Sequence, residues 1–292
     1  MGIKTSVAAL LVRAWEEGAT FSRTATIGRQ SLTVPLADLT ELARRCGAPA
    51  PDEGFAADGY CEDFLCRFLR AEQVVSFDAS EYQSVSVAHD FNRPLPEDYA
   101  ESFDAVIDGG TMEHIFDVRQ VLQNYMGMPK VGGSLFICTN ANNLCGHGFY
   151  QFSPEFFYRV FCEANGYRVE TLCLIETPLH IVERSARQRV FEAADPAEVG
   201  KRTVIVTDKP ISIYVHARRT ALRPLFATPP VQSDYAARWL DDGADEAAPA
   251  TPPANGQRRF AYISTWETLR RSARQRRKNS LRNRKWFKPL TP

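Results

Sequence analysis

The chain has 292 residues, of which 44% are hydrophobic, and a formal net charge of zero. This length and composition allow one core of about 200 to 250 residues with appendages, so we expect one domain followed by a tail. The longest apolar run near the start, Val7 to Val12, is too short for the core of a signal peptide or a membrane span, which predicts a cytoplasmic protein with no transmembrane segment.

An N-terminal helix is predicted within residues 1–20, because apolar residues recur at helical spacing up to Trp15 and Gly18 follows. Residues 21–228 then alternate between strand and helix patterns, which is typical of an α/β fold with a doubly wound, mostly parallel sheet and helices on both faces. The predicted strands are 24–27, 74–77, 84–88, 105–107, 134–139, 167–175 and 211–217, and the predicted later helices are 35–45, 62–69, 117–128 and 153–164.

The pattern ends in a linker, residues 229–256, and a basic tail, residues 257–292. The tail carries 12 Lys or Arg against Glu267 alone, about +11, so the rest of the chain is about −11 (23 basic and 34 acidic residues). We expect the tail to be flexible, or helical when it binds. Its mixture of arginine and aromatic residues suits an anionic partner, a nucleic acid or a membrane surface, through residues 258–288.

The cysteines of the chain are odd in number and scattered, and none forms a CxxC pair. This usage predicts a reduced protein without a structural zinc or another metal site. The seven are Cys46, Cys61, Cys66, Cys138, Cys145, Cys162 and Cys173.

Residues 103–114, Phe-Asp-Ala-Val-Ile-Asp-Gly-Gly-Thr-Met-Glu-His, form an apolar strand that ends in a carboxylate, two glycines and an acid next to an imidazole. Ligands of open α/β sheets bind beyond the carboxyl ends of the strands. We therefore expect Asp108 and Gly109 to contact a ligand, and Glu113 and His114 to act as acid and base. The alternative is that Asp108 or Thr111 caps a helix with Glu113 in its first turn.

Two neighbouring strands of the predicted sheet also end in polar residues. Asp78 is placed to accept hydrogen bonds from ribose hydroxyls, or else caps the following turn. Asp90 and Phe91 could give a polar contact and an aromatic wall to a purine, or belong to a loop that caps itself.

The loop after the strand 134–139 is rich in amide and aromatic side chains. Such a composition favours contact with a hydroxylated substrate, such as a sugar. His147 lies between two glycines and is a second candidate base. The alternative is an irregular loop held by aromatic residues in the core. The candidate substrate contacts are Asn142, Asn143, Tyr150 and Gln151.

Residues 103–118, together with the turn and strand start Pro-Lys-Val-Gly-Gly-Ser-Leu at 129–135, resemble the class I S-adenosylmethionine-dependent methyltransferase superfamily, notably its bacterial type 11 and type 12 members. The resemblance covers about residues 20 to 220. It implies a Rossmann-like, seven-stranded, mostly parallel sheet with S-adenosylmethionine over the ends of strands one, two and four. Further similar segments are 28–30, 76–80, 89–96 and 146–154.

The resemblance also implies positions for the cofactor. Gly28 would lie under its methionine part, Asp78 at the ribose, Asp90 with Phe91 at the adenine, and Asp108 with Gly109 near the sulfonium. The family's first loop, an acid followed by Gly-x-Gly-x-Gly, is here only Thr-Ile-Gly-Arg-Gln-Ser at 26–31. Arg29 and Gln30 would either block the amino-acid end of the cofactor, or Gln30 would replace the missing polar contacts.

The implied activity is methyl transfer to a hydroxyl of a small molecule or glycan precursor. His114 and His147 are the candidate bases, with Glu113 as an orienting group. One alternative is an inactive methyltransferase-like scaffold or partner protein. The other is a nucleic-acid-associated methyltransferase anchored by the basic tail.

Overall fold

The structure is a computed structural model that describes residues 2–81, 83–178, 188–200, 204–236 and 280–292. Most of the predicted linker and the basic tail as far as residue 279 lie outside these residues.

Strands and helices alternate along the described chain, as the sequence pattern predicts. Their bounds are β1 (Gly2–Lys4), α1 (Thr5–Glu16), β2 (Arg23–Ile27), β3 (Ser31–Thr33), α2 (Leu36–Arg45), α3 (Glu62–Phe68), β4 (Gln73–Asp78), β5 (Val87–Ala88), β6 (Phe103–Asp108), α4 (Val118–Gly127), β7 (Pro129–Asn142), α5 (Pro154–Val160), β8 (Tyr167–Glu176), β9 (Arg189–Ala193), α6 (Pro196–Val199), β10 (Ile211–Arg219) and β11 (Phe287–Leu290).

One large sheet organises the domain. Its strand order is β11-β9-β8-β10-β7-β6-β2-β4-β5. The strands from β7 to β5 in this order are parallel, and β10 pairs antiparallel with both β7 and β8. The predicted α/β, Rossmann-like class is therefore confirmed. Within the described residues the sheet has nine strands instead of the seven expected, because β9 and β11 extend one edge.

The last strand differs from the expectation of a flexible tail. β11 pairs antiparallel with β9, and Phe287 lies opposite Ala193. Phe287 is 1% exposed and Trp286 is also buried. Two large apolar side chains among the basic residues therefore fold onto the sheet edge, and the basic composition of the whole segment concealed this signal.

Helices cover both faces of the sheet. On β6, Val106 packs into the cluster that includes α4 and α5, and the next residue, Ile107, packs into the cluster that includes α1, α2 and α3. Successive side chains of a strand point to opposite faces, so a strand buried on both sides is apolar throughout. This explains why residues 105–107 are all apolar, the pattern from which this strand is predicted.

Local signals fix several helix starts. Asp117 accepts a hydrogen bond from the backbone N–H of Gln120 at the start of α4. Ser153 does the same for Phe156 at the start of α5, where Pro154 occupies the first turn. None of the helices that the structure describes combines the length and the apolar character needed to cross a bilayer.

A small second sheet, which the sequence did not predict, lies beside the first glycine turn. β1 and β3 pair in parallel, with Ile3 opposite Leu32. The residues after β2 therefore continue into a short strand and not directly into a helix. This places the beginning of the described chain next to the carboxyl ends of β2 and β6, where the candidate site lies.

Candidate functional site

The turn after β2 is built around Gly28 and Gln30. Gly28 has φ of +73°, a left-handed conformation that favours glycine, and its N–H donates to the carbonyl of Phe77 at 2.6 Å. Gln30 is 1% exposed. Its Nε2 donates to the carbonyls of Ile27 and, at 3.3 Å, Gly28, whereas its buried Oε1 has no hydrogen-bond partner. The turn thus presents one unsatisfied acceptor.

The Gln30 amide lies between the ends of two strands. A Cβ built on Gly28 would lie 3.2 Å from Gln30 Nε2. A Cβ built on Gly109, after β6, would overlap Gln30 Oε1 and lie 3.1 Å from its Cδ and 3.5 Å from the carbonyl carbon of Gly2. The Gly2 N–H donates to the carbonyl of Gly109 at 3.1 Å. Close packing at this edge therefore leaves little room for a Cβ on either glycine.

Arg29 points away from these strand ends. Its guanidinium pairs with Asp58 and Glu62, each at 2.7 Å, and lies 3.9 Å from the ring centre of Tyr60. The predicted bulk at this turn therefore comes from Gln30 and not from Arg29.

Asp78 joins the same group from the end of β4. Its Oδ2 would be 3.8 Å from a Cβ on Gly28, and its Oδ1 accepts from the N–H of Ser80 at 3.2 Å. The carboxylate is half-buried. Beyond it, the buried Nε2 of His89 also has no hydrogen-bond partner. The structure thus brings Gly28, Gln30 and Asp78 together as the sequence predicted.

Phe91 and Asp90 differ from their predicted roles at a purine. The Phe91 ring is buried and contacts Phe77, His89 and Tyr125, with ring centres 5.0 to 6.1 Å apart. It belongs to the core and offers no exposed wall. Asp90 is exposed, and its Oδ1 accepts from the backbone and side-chain nitrogens of Asn92 at 3.0 and 2.8 Å, which is the alternative of a self-capped loop.

Asp108 also differs from its predicted contact with a cofactor. Its carboxylate is buried and accepts from the N–H groups of Gly110, Thr111 and Met112 at 2.6 to 2.9 Å and from the Tyr125 hydroxyl at 3.1 Å. Its oxygens are thus used within the protein, as in the capping alternative. Burial, and then the nearby Glu113 carboxyl, raise the pKa of Asp108.

Glu113, His114 and His147 form a second cluster at the end of β7. One ligand atom from each lies within 4.8 Å of the others. The Nε2 of His147 lies 3.7 Å from Glu113 Oε1, and the two imidazole centres are 5.0 Å apart. Glu113 is buried, whereas both histidines are exposed. The structure brings the three predicted catalytic residues together from two segments.

Hydrogen bonds hold this cluster in place. Thr139 Oγ1 donates to Glu113 Oε2 at 2.8 Å, and the N–H of Phe149 donates to the carbonyl of Glu113 at 2.6 Å. A Cβ on Gly148 would lie 2.6 Å from that carbonyl oxygen, so only glycine permits the loop to approach. The sequence analysis missed Thr139, although a polar residue at the end of an apolar strand is a recognisable signal.

Burial sets the protonation of the cluster. It raises the pKa of Glu113 and lowers the pKa of His114, which the neighbouring His147 lowers further. His114 is therefore neutral at neutral pH and able to accept a proton.

The predicted substrate contacts hold the loop 143–152 in place. The side-chain amides of Asn142 and Asn143 donate to carbonyls of the 205–209 segment. Tyr150 donates from its hydroxyl to the carbonyl of Phe116 at 2.6 Å, and Gln151 accepts from the N–H of Leu144 at 3.1 Å. These contacts match the alternative of a pinned irregular loop.

A cavity of about 840 Å³ opens beside this loop. Asn142 contributes to its wall although its amide is hydrogen-bonded, and Phe152, Glu155 and Trp286 line other sides. Its volume is in the range of small-molecule sites.

No protein-family model matches the chain, and no curated protein matches it. Several solved structures are similar to it. One is an S-adenosylmethionine-dependent methyltransferase from Thermotoga maritima, described as a possible histamine N-methyltransferase, with 15% identity, 73% of this chain and 89% of that chain covered, and a TM-score of 0.40.

Two further similar structures are also methyltransferases. A putative methyltransferase from Bacillus halodurans has 13% identity, with 73% of this chain and 99% of that chain covered and a TM-score of 0.41. The second is the 1,6-didemethyltoxoflavin N1-methyltransferase of Burkholderia thailandensis, with bound S-adenosylhomocysteine. It has 11% identity, with 74% of this chain and 78% of that chain covered and a TM-score of 0.38. The function of this chain is therefore inferred from its own site residues.

Proposed function

We propose that the protein is an S-adenosylmethionine-dependent methyltransferase acting on a hydroxyl of a small hydroxylated molecule or glycan precursor. The observation that carries the proposal is the convergence of Gly28, Gln30, Asp78 and Gly109 at the carboxyl ends of three adjacent parallel strands. In open α/β sheets this edge is the usual place of a nucleotide-like ligand.

The residues at this edge fit the cofactor. The buried, unpartnered Oε1 of Gln30 is an acceptor suited to the ammonium group of an amino acid. Asp78 offers a half-buried carboxylate to ribose hydroxyls, and the unpartnered His89 Nε2 is a further polar atom for the nucleoside. When bound, S-adenosylmethionine supplies an electrophilic methyl group on its sulfonium.

The histidine cluster supplies the base. A hydroxyl becomes a better nucleophile as it loses its proton, and neutral His114 accepts that proton. The Glu113 carboxyl lies 3.7 Å from His147 Nε2 and orients that imidazole beside His114. Methyl transfer is an in-line displacement that needs little assistance beyond removal of this proton. Positioning of the hydroxyl therefore supplies most of the catalysis.

One feature supports a small hydroxylated acceptor. The rings of Phe116 and Phe149 are 71% and 65% exposed and 5.8 Å apart, and exposed aromatic rings of this kind suit contact with the apolar face of a sugar ring.

Titration calorimetry with S-adenosylhomocysteine tests the cofactor site. We expect the native protein to bind, and Gln30→Ala and Asp78→Asn each to lower the affinity about tenfold, the loss of one hydrogen bond to a charged group. Arg29→Ala is the matched control, because its side chain leaves the same turn toward Asp58 and Glu62. Its affinity should equal that of the native protein.

A second candidate function has its own observation. The backbone of Gly2 is hydrogen-bonded to Gly109, and β1 with β3 covers the turn at Gly28. If native protein and Arg29→Ala show no binding of S-adenosylhomocysteine at millimolar concentration, the methyltransferase proposal fails. The protein is then a methyltransferase-like scaffold or partner protein.

An anionic partner of residues 258–288 is a separate proposal. It is supported by the 12 basic residues against one acidic residue over 256–292. Trp286 and Phe287 are buried and so do not stack on bases. Binding to a nucleic acid or anionic vesicles should weaken steeply with salt, and should weaken again when Arg270, Arg271 and Arg274 are replaced by alanine. Binding that ignores both changes contradicts it.

A further inference from the structure

We propose that Glu113, His114 and His147 bind a divalent transition-metal cation. Two imidazoles and one carboxylate converge with their ligand atoms within 4.8 Å of one another. This donor set occurs in metal centres that keep open coordination positions for water or substrate. Cysteine patterns do not reveal this site, because its ligands are one carboxylate and two imidazoles from segments 33 residues apart.

The distances are close to those of a bound state. Donor atoms around a tetrahedral cation with bonds of 2.0 to 2.2 Å are separated by about 3.4 Å. Glu113 Oε1 and His147 Nε2 lie 3.7 Å apart. Both histidines are exposed, so rotation of their rings can shorten the longer separations, at most 4.8 Å, to about 3.4 Å without disturbing the core. The buried Glu113 is fixed.

The surroundings orient the proposed ligands, as outer hydrogen bonds do in metal centres. Thr139 Oγ1 holds the second carboxylate oxygen of Glu113 at 2.8 Å. The Asn140 amide donates to the carbonyl of His147 at 2.6 Å, and the His147 N–H donates to the carbonyl of Leu144 at 3.0 Å. The backbone of His147 is therefore held by β7 through its carbonyl and by the loop itself through its N–H.

The donor atoms indicate the class of cation. Imidazole nitrogen favours Zn²⁺, Fe²⁺, Ni²⁺ or Cu²⁺ over Mg²⁺ and Ca²⁺, which prefer oxygen ligands. Three protein ligands leave coordination positions open. The exposed rings of Phe116 and Phe149 each follow a proposed ligand by two residues, so a bound molecule would meet apolar surface beside the cation.

The consequence for catalysis rests on the proposed function. An acceptor hydroxyl that binds the cation has a lowered pKa, and its proton passes to solvent water. The two imidazoles are then ligands, and the cation takes over the task of the base. The preferred acceptor is a molecule with a hydroxyl beside a second oxygen atom, since two oxygens can fill two open positions.

The test is a titration of metal-free, tag-free protein with Co²⁺, followed by the visible d–d absorption of the cation. We expect one equivalent to bind and Zn²⁺ to displace it. Glu113→Gln, His114→Gln and His147→Gln should each lower the Co²⁺ affinity by about 100-fold or more, and Thr139→Val by about tenfold. Cys145→Ser is the matched control, because Cys145 is an exposed thiol on the same loop. This variant should keep the native affinity for Co²⁺.

Circular dichroism verifies that the variants are folded. No Co²⁺ bands at millimolar cation, or equal affinity in the native protein and the three ligand variants, would overturn the metal site. Loss of binding in Cys145→Ser with retention in His147→Gln would assign the cation to a thiol and also overturn it. Because the titration contains no S-adenosylhomocysteine, its failure is distinct from failure of the cofactor titration.

Discussion

The side chain of Gln30 occupies the space that a Cβ on Gly109 would need, with its Cδ 3.1 Å from that position. β2 and β6 pair along their backbones, and beyond their carboxyl ends the two turns meet through this amide group. The turn after β2 thus carries one glycine and one glutamine, and the second glycine of the contact follows the neighbouring strand β6.

Gly109→Ala is expected to move the Gln30 amide and weaken S-adenosylhomocysteine binding about tenfold. The fold should lose only about 1 kcal/mol of unfolding free energy, since the displaced atoms end a flexible side chain. Calorimetry and urea denaturation measure the two effects. The control is Gly127→Ala at the end of α4, where a Cβ meets nothing within 4 Å. Its affinity should stay near native, and its unfolding free energy should stay near native or rise by up to about 1 kcal/mol.

Asp108→Asn is expected to lower the unfolding free energy by about 2 kcal/mol, because an amide cannot accept all of the hydrogen bonds that the carboxylate accepts. Tyr125→Phe removes only the bond of 3.1 Å to the same carboxylate and should cost about 1 kcal/mol. Urea denaturation ranks the two variants. A native-like Asp108→Asn would contradict a structural role for this residue.

Much of the fold could be predicted from the sequence, because the central strands are apolar throughout and their helices carry ordinary start signals. β6, β8 and β10 agree with their predicted positions to within a few residues. β1, β3, β9 and β11 could not be predicted, because they are short and depend on pairing with distant residues.

The candidate site was predictable in its location but less so in its details. Glu113, His114 and His147 stand beside turns whose glycines permit close approach, which is a local signal. Whether Asp108 or Phe91 faces a ligand or the interior depends on tertiary packing. Alternation alone does not distinguish a strand-end carboxylate that caps the following turn from one that binds a ligand.

Phe287→Ala tests the sheet edge. The ring is 1% exposed, so its removal should lower the unfolding free energy by about 3 kcal/mol. Lys288→Ala lies on the exposed side of the same strand and should change it by less than about 0.5 kcal/mol. If both variants are equally stable in thermal or urea unfolding, residues 287–290 do not belong to the sheet.

His216 should make stability depend on pH. Burial, and then the charge of Arg218, lower its pKa from 6.5 to about 4, while Glu170 opposes this shift. Below pH 6.5 the His216 imidazole binds a proton in the unfolded chain but stays neutral in the folded protein. The free energy of unfolding therefore falls as the pH falls from about 6.5 to about 4.

The size of this effect follows from the two pKa values. Between pH 7 and 5 the native protein should lose about 2 kcal/mol more than His216→Gln, in which the residue cannot titrate. Urea denaturation of both proteins across this range measures the difference. If the unfolding free energies of the two proteins change equally with pH, the pKa of His216 does not differ between the folded and unfolded states.

The pairing of β11 with β9 changes how the basic segment must be manipulated. Ser233 is hydrogen-bonded to Glu155 on α5, so the chain between residues 236 and 280 is attached to the domain at both ends. Truncation near residue 240 would strip a strand from the sheet together with the positive charge. Excising residues 257–278 and rejoining the ends with a short glycine-serine bridge removes eight of the twelve basic residues together with Glu267 and keeps the strand. Because closure entropy changes slowly with length, the shortened protein should fold at least as well.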